Sequence, residues 1–482
     1  MAKQESLKEK TAQGIMWSGF SNIIQQVLGI VFGIILARKL SQADYGMVGL
    51  LYIFSAIAAC MQEGGFIAAL NRKKEVSQRD YNAVFWTSIF TSIGFYLLFF
   101  FAAPLIAWFY GVPELTALAR YSFLSFLFVS FSIAPRAFIF RNMMVRESSI
   151  ISIAAIFLSG VVGVVMAMNG YAYWGLATQN IVFTLTLSIL NYYFSGWRPS
   201  FHIDFSPMKE ILKFSSKLIL SNIITAVNTN VFTVLLGKYY TPNEVGDFTQ
   251  ANKWNNMGHS LITNTLMSIA QPIIAKTEGD SQRQKQVFRK LLRFTAFICF
   301  PLMLGFSLVS EEFIVILITD KWISSAHILQ WLCIAGAVTP LSFLFSNLLV
   351  TRGHSTTYMW CTFSFCLAQL TALWLFVPYG IMLMVKAYVL INILWLAVWF
   401  AFAHRKVHLS WLEALRDVTP YLALTIASIG VSYLILPPIQ NLYLSILSKV
   451  AIVALSYCAM LWLLGSTIFK EVLLFITKKE IK

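Results

Sequence analysis

Thr249, Asn252, Lys253, Asn256, Ser260 and Thr263 recur at intervals of three and four residues, with Gln250 and His259 adjoining. On an α-helix that spacing lays them along one face over about 20 Å at ~1.5 Å per residue. The surrounding run, 246–274, is predicted to cross a membrane, where polar side chains left against lipid cost a few kcal/mol each. The face must therefore look onto protein or water. A similar stripe, Lys217, Ser221, Thr225 and Asn228, marks the run 211–236, with Asn222 and Asn230 close beside it. In the first run, 13–37, Ser18, Ser21, Asn22, Gln25 and Gln26 share a side that Gly29 and Gly33 continue. Amides and hydroxyls exchange hydrogen bonds with the hydroxyls of a sugar chain, and lysines bind an anion such as pyrophosphate.

Each candidate has a plainer reading. Lys253 and Lys217 either contact an anion or snorkel to the nearer membrane surface. Gln25 and Gln26 either face a cavity or bond to a neighbouring helix, and Gly29 and Gly33 suit a close helix contact. Glu63 precedes Gly64 and Gly65, a weak point in its helix. An intramembrane carboxylate there is the candidate for proton or cation coupling, unless Arg72 or Lys73 pairs with it. Arg120 is placed to cap the outer start of its helix or bind an anion, and Glu311 and Glu312 to face water. The His residues show no ligand spacing, so no metal site is expected. The six Cys read as small apolar side chains.

The elements that carry these residues are membrane spans. Of 482 residues 58% are hydrophobic and 12% charged, and the mean hydropathy is +0.70. So much apolar surface exceeds what a soluble core can hide. Fourteen apolar runs are long enough to span: 13–37, 45–70, 82–108, 115–138, 148–169, 173–194, 211–236, 246–274, 293–317, 326–350, 356–378, 383–403, 417–436 and 443–466. The 36 Lys and Arg alternate from loop to loop as these breaks require. Arg38, Lys39, Lys238, Lys321 and Lys386 fall in loops on the far side, and nearly all the rest lie on the side of the N-terminus. Both termini are therefore predicted to be cytoplasmic. The net charge of +15 is thereby explained by anionic lipid at that surface, so no nucleic-acid partner is expected. The loop residues Arg283, Lys285, Arg289 and Lys290 suit either a basic amphipathic link or simple topology determinants.

Residues 21–46 align without a gap onto 221–246. Ser21, Asn22, Ile23, Ile24, Val27, Val31, Phe32, Leu36 and Gly46 recur identically, while Arg38/Lys238, Ser41/Thr241 and Asp44/Glu244 recur in kind. The period holds six spans, an even number, so the copies are parallel repeats of the sort transporters use. The predicted fold is an all-α polytopic membrane protein of fourteen transmembrane helices. It has two parallel six-helix lobes, 1–200 and 201–405, and a C-terminal helix pair with a tail, 406–482. Pro104, Pro135, Pro272, Pro301 and Pro340 permit kinks. Short extracytoplasmic loops leave no room for a soluble catalytic lobe, and no phosphate-binding P-loop is present.

Further stretches resemble a known family: ARKLSQADYG at 37–46, PRAFIFRNMMVRE at 135–147, GYAYWGLATQNIV at 170–182, GKYYTPNEVGDFTQANK at 237–253 and ILQWLCIAGAVTPLSFLFSNLLVTRG at 328–353. They look like the polysaccharide flippases of the Wzx type, including the WzxC-like branch, within the multidrug/oligosaccharidyl-lipid/polysaccharide exporter superfamily. The resemblance covers nearly the whole chain. It implies a V-shaped two-lobed bundle that flips undecaprenyl-pyrophosphate-linked oligosaccharide across a bacterial inner membrane by alternating access. The last two helices would form a groove for the lipid tail. The related peptidoglycan-precursor flippase carries cavity arginines on its first two helices. Here Gln25, Gln26 and Glu63 stand on those helices, so that pattern does not transfer.

The expected function is thus transport for lipopolysaccharide, exopolysaccharide or capsule assembly, without a cofactor and without enzymatic activity. Membrane lipids, a polysaccharide polymerase and chain-length regulators are the expected partners. The candidate substrate contacts are Gln25, Gln26, Lys217, Asn228, Asn252, Lys253, Asn256 and Arg120. Two other readings stay open: a cation-coupled drug antiporter of the same superfamily, which favours twelve helices and a more acidic cavity, and a membrane-embedded glycan transferase or ligase.

Overall fold

The computed structural model describes residues 7–63, 65–201, 203–276, 281–407, 409–437 and 439–477. Helices are the regular secondary structure throughout these residues. In chain order they are α1 (Leu7–Lys39), α2 (Gln42–Gly49), α3 (Tyr52–Glu63), α4 (Phe66–Arg72), α5 (Gln78–Tyr110), α6 (Leu115–Ser122), α7 (Leu124–Arg141), α8 (Val145–Met168), α9 (Ala172–Ser195) and α10 (Met208–Tyr239). There follow α11 (Pro242–Lys276), α12 (Ser281–Leu308), α13 (Ser310–Ile318), α14 (Ile323–Thr351), α15 (Ser355–Phe376), α16 (Ile381–Val407), α17 (Trp411–Ile435), α18 (Leu442–Leu463) and α19 (Thr467–Thr477). Among the described residues, 12 stretches are long and apolar enough to cross a membrane. α9 and α11, at 24 and 35 residues, have the length and are not among the 12. α11 is the helix of the polar stripe.

Three predicted runs are broken. The run at 45–70 becomes α2, α3 and α4, the last break falling at Gly65, whose φ of 66° lies in the left-handed region that a side chain disfavours. The run at 115–138 divides at Phe123 into α6 and α7, and that at 293–317 divides at Val309 into α12 and α13.

The chain forms two compact units, 1–246 and 247–482. In the first, Phe66, Leu70, Tyr81, Phe85, Ile133 and Trp197 pack with Met208 and Ile211, so the first turn of α10 belongs to this core. The repeated residues explain themselves here. Ser41 N–H donates to Asp44 Oδ2 at 2.8 Å, and Thr241 N–H donates to Glu244 Oε2 at 2.9 Å. Each repeat thus starts a helix on the same cap. A Cβ on Gly46 would stand 1.8 Å from the carbonyl O of Pro242, and a Cβ on Gly246 1.8 Å from that of Gln42. The two helix starts meet backbone to backbone, reciprocally, and admit no side chain. The expected contact at Gly29 is absent, with nothing within 4 Å of a Cβ there. Close approach to α1 occurs instead at Gly160 of α8, where a Cβ would stand 2.3 Å from the Phe32 ring.

In the second unit, ion pairs tie α17 and α18 to the helices before them. Arg289 donates from Nε to Asp417 Oδ2 at 2.6 Å and from Nη1 to Glu413 Oε1 at 3.3 Å, and Lys285 reaches Glu413 Oε2 at 2.7 Å. Two of the basic loop residues therefore grip α17. Glu312 does not face water: it is buried and bonds to Ser445 and Lys449 of α18. Burial rewards this pairing, because a carboxylate at that depth would otherwise be uncompensated.

Gly46→Ala and Gly246→Ala are expected to destabilise the protein by at least about 2 kcal/mol through backbone clash. Gly29→Ala has open space and should be neutral or better. Thermal unfolding of the detergent-purified variants distinguishes these outcomes.

Candidate functional site

α11 carries the densest set of buried polar groups. Thr249 Oγ1, both amide atoms of Gln250, Trp254 Nε1, Asn255 Oδ1 and His259 Nδ1 are buried and have no hydrogen-bond partner among the described residues. Leaving such a group unpaired costs about 1–3 kcal/mol, so a cluster of them marks a place where a ligand or water completes the bonding. The stripe read from the sequence lies among them. Asn252 and Lys253 are half-buried, and Asn256 is exposed with its Oδ1 3.1 Å from His259 Nε2. No carboxylate pairs with Lys253 among the described residues; its Nζ stands 6.0 Å from the Trp254 ring centroid. Asn255 and Trp254 fall one step off the periodic face and were missed from sequence. A Cβ on Gly336 of α14 would come 2.4 Å from Asn255 Oδ1, so this amide is wedged against α14, a contact no linear pattern announces.

On α10, part of the polar set bonds back to its own helix. Thr225 Oγ1 donates to Ser221 O at 3.0 Å, and the Asn230 amide donates to Ala226 O at 2.8 Å. Asn228 Oδ1 is buried and unpartnered. The side chain of Lys217 lies outside the described residues. On α1, Gln25 Nε2 donates to Ser21 Oγ at 2.8 Å, one turn back, and Gln26 is half-buried.

Glu63 ends α3 beside the break at Gly65. Its partner is Arg136 of α7, at 2.9 Å, rather than Arg72 or Lys73. The side chains remain 47% and 57% exposed, so the pair adds at most about 1 kcal/mol of stability.

Arg120 has a structural task. Pro104, inside α5, has no N–H for the carbonyl of Phe100, and Arg120 Nε donates to that oxygen at 3.2 Å. Its guanidinium also lies 4.4 Å from the Phe100 ring centroid. The same repair recurs in the second unit. Pro301 frees Phe297 O, which accepts from Tyr457 Oη at 3.0 Å, and Pro340 frees Gly336 O, which faces Cys299 Sγ at 3.8 Å.

A helical membrane protein with duplicated, identically capped helix starts and a polar, under-bonded helix has the build of a transporter. The chain belongs to the polysaccharide biosynthesis protein family, whose profile it matches over residues 35–327. It is 25% identical to the lipopolysaccharide biosynthesis protein WzxC of Escherichia coli K12 over 72% of this chain and 71% of that one. It is 24% identical to the succinoglycan biosynthesis transport protein ExoT of Rhizobium meliloti over 85% and 81%. In fold it is similar to the lipid II flippase MurJ in an inward closed conformation, with a TM-score of 0.77, 14% identity, and coverage of 95% of this chain and 100% of that one. A multidrug resistance MATE family transporter in its inward-facing conformation matches with a TM-score of 0.65 and 15% identity, over 82% of this chain and 98% of that one.

If Arg120 exists to satisfy the carbonyl freed by Pro104, Arg120→Met should cost about 1–3 kcal/mol in the native background and markedly less beside Pro104→Ala. Thermal unfolding of the four members of this cycle measures the coupling, and purely additive costs would reject it.

Proposed function

We propose that the protein flips an undecaprenyl-pyrophosphate-linked oligosaccharide across the bacterial inner membrane by alternating access, for surface polysaccharide synthesis. The observation that carries this reading is the cluster of unpartnered amide, hydroxyl, indole and imidazole groups on α11 beside the unpaired Lys253. Sugar hydroxyls both donate and accept, as these groups do, and a pyrophosphate seeks a desolvated cation. Asn252, Lys253 and Asn256 of α11 contact the headgroup. Family membership and the relatives named for lipopolysaccharide and succinoglycan biosynthesis support the substrate class.

In this reading α9 and α11 also cross the bilayer, both termini are cytoplasmic, and residues 1–200 and 201–405 work as the two repeats with 406–482 appended. The protein transports and does not catalyse, handing its cargo to a polysaccharide polymerase and chain-length regulators. Glu63 couples the cycle to a cation: protonation or cation binding would release Arg136 at the hinge between α3 and α4.

Deleting the gene should abolish surface polysaccharide and leave an undecaprenyl-pyrophosphate oligosaccharide accumulating on the cytoplasmic leaflet, detected by mass spectrometry of extracted lipids. Unchanged lipid pools with altered sensitivity to cationic drugs would favour antiport. Complementation with Lys253→Ala should fail at normal protein level, and full polysaccharide in that strain would remove Lys253 from the site. Glu63→Gln should reduce polysaccharide without lowering the unfolding temperature, since its exposed ion pair contributes at most about 1 kcal/mol.

A further inference from the structure

The segment after α9 is strapped across the start of α5. Gln78 Nε2 donates to Arg198 O at 2.7 Å, Trp86 Nε1 to Ser200 O at 2.9 Å, and Ser200 N–H to Asn82 Oδ1 at 3.0 Å. Arg79 holds Asp204, whose carboxyl is kept below the usual range by the Ser206 N–H first, then by the Ser206 hydroxyl and Arg79. These bonds fix the segment while leaving Phe201 91% exposed, with Ile203 and Phe205 also exposed. Apolar side chains held outward at a membrane boundary are placed for lipid rather than water.

Beneath the strap, α5, α7, α9 and Phe201 line an open cavity of about 700 Å³, walled by Phe85, Trp86, Phe131, Ile189 and Tyr192. Its size falls in the range of ligand pockets, ~300–1,000 Å³. Apart from the Tyr192 hydroxyl, the side-chain polar groups in its wall are already engaged. Ser188 Oγ donates to Phe128 O, Ser200 Oγ bonds to Asn82, and the Trp86 indole is held by the strap. Such a wall is mostly apolar and suits hydrocarbon. At the rim, the Arg198 guanidinium lies 4.4 Å from the Tyr192 ring centroid. Its hydrogen bonds among the described residues, to Tyr192 O and Trp197 O, both use Nη1. Nε and Nη2 remain for a headgroup phosphate. The cavity spans Leu185 to Tyr192 of α9, about 10 Å at ~1.5 Å per residue. That height lies within one leaflet, the cytoplasmic one in the orientation proposed above, on which the inference rests.

We propose that this cavity binds one acyl chain of an anionic phospholipid, with Arg198 against the lipid phosphate. A polyprenyl chain, several times longer, would leave most of its length outside. The occupant is thus a resident lipid of the first unit, separate from the cargo and from any groove formed by the last two helices.

The test is photolabelling of the full-length protein in nanodiscs with phosphatidylglycerol carrying a diazirine in its acyl chain, followed by peptide mapping. Label should concentrate on the peptides containing Trp86 and Ile189, about fivefold above an otherwise identical phosphatidylcholine probe, the advantage of one Arg near an anionic headgroup. Arg198→Gln should abolish that preference while phosphatidylcholine labelling persists. Ile189→Trp, at a lipid-facing position, should fill the cavity and remove the label; Ile426→Trp, on a lipid-facing position of α17, should not. Uniform labelling of all lipid-facing helices, or labelling unchanged by Ile189→Trp, would overturn the proposal. So would displacement by polyprenyl phosphate and not by phosphatidylglycerol, which would make the cavity part of the cargo's path. The readout does not involve transport, so it can fail while the flippase reading stands, and the reverse.

Discussion

Two glycines set the geometry on which the rest of the first unit depends. Gly46 takes the Pro242 carbonyl where a side chain would sit, and Gly246 takes that of Gln42 in the same way. The contact is reciprocal because the sequence around it is duplicated, and each partner is itself positioned by a matching cap, Ser41 with Asp44 and Thr241 with Glu244. A cap fixes where a helix begins, and a backbone contact fixes how closely two such beginnings approach. Together they position α2 against the first turn of α11.

A second constraint runs along the helices. Proline inside a membrane helix frees a carbonyl that lipid cannot satisfy. At three of the helix prolines a side chain from elsewhere in the same unit stands at the freed carbonyl: Arg120 at Phe100 O, Tyr457 at Phe297 O and Cys299 at Gly336 O, with the thiol closer still to Ala337 O. The arrangement gives residues that look functional a packing role. It also ties α18 to α12 through Tyr457, alongside the ion pairs of Arg289 with Asp417 and Lys449 with Glu312. The C-terminal helices are thereby bound into the second unit by polar contacts at several levels along α12, α13, α17 and α18.

The polar groups on α11 contrast with this economy. Several threonines and asparagines on other helices bond back to their own backbone, as Thr225 and Asn230 do. On α11 the groups from Thr249 to His259 are left short of partners while a lysine stands unpaired among them. Unpartnered buried polar atoms occur on several helices, and among the described residues the run from Thr249 to His259 holds their densest stretch.

By itself the sequence determined the membrane class, the helical fold, the repeated segment at 21–46 and 221–246 and the polar stripe of α11, because each of these is a matter of local composition or of spacing along the chain. Its two adjacent glycines after Glu63 also marked the weak point at Gly65. Partners were a different matter. Glu63 meets Arg136 rather than Arg72 or Lys73, Glu312 is buried against Lys449 rather than wet, and Arg120 serves Pro104. Those contacts join residues 73, 137 and 20 positions apart on different helices, so spacing along one helix carried no trace of them. The small-residue contact fell at Gly160 and not at Gly29 for the same reason: a GxxxG pattern says that a helix can be approached closely, and only the packed neighbours decide where.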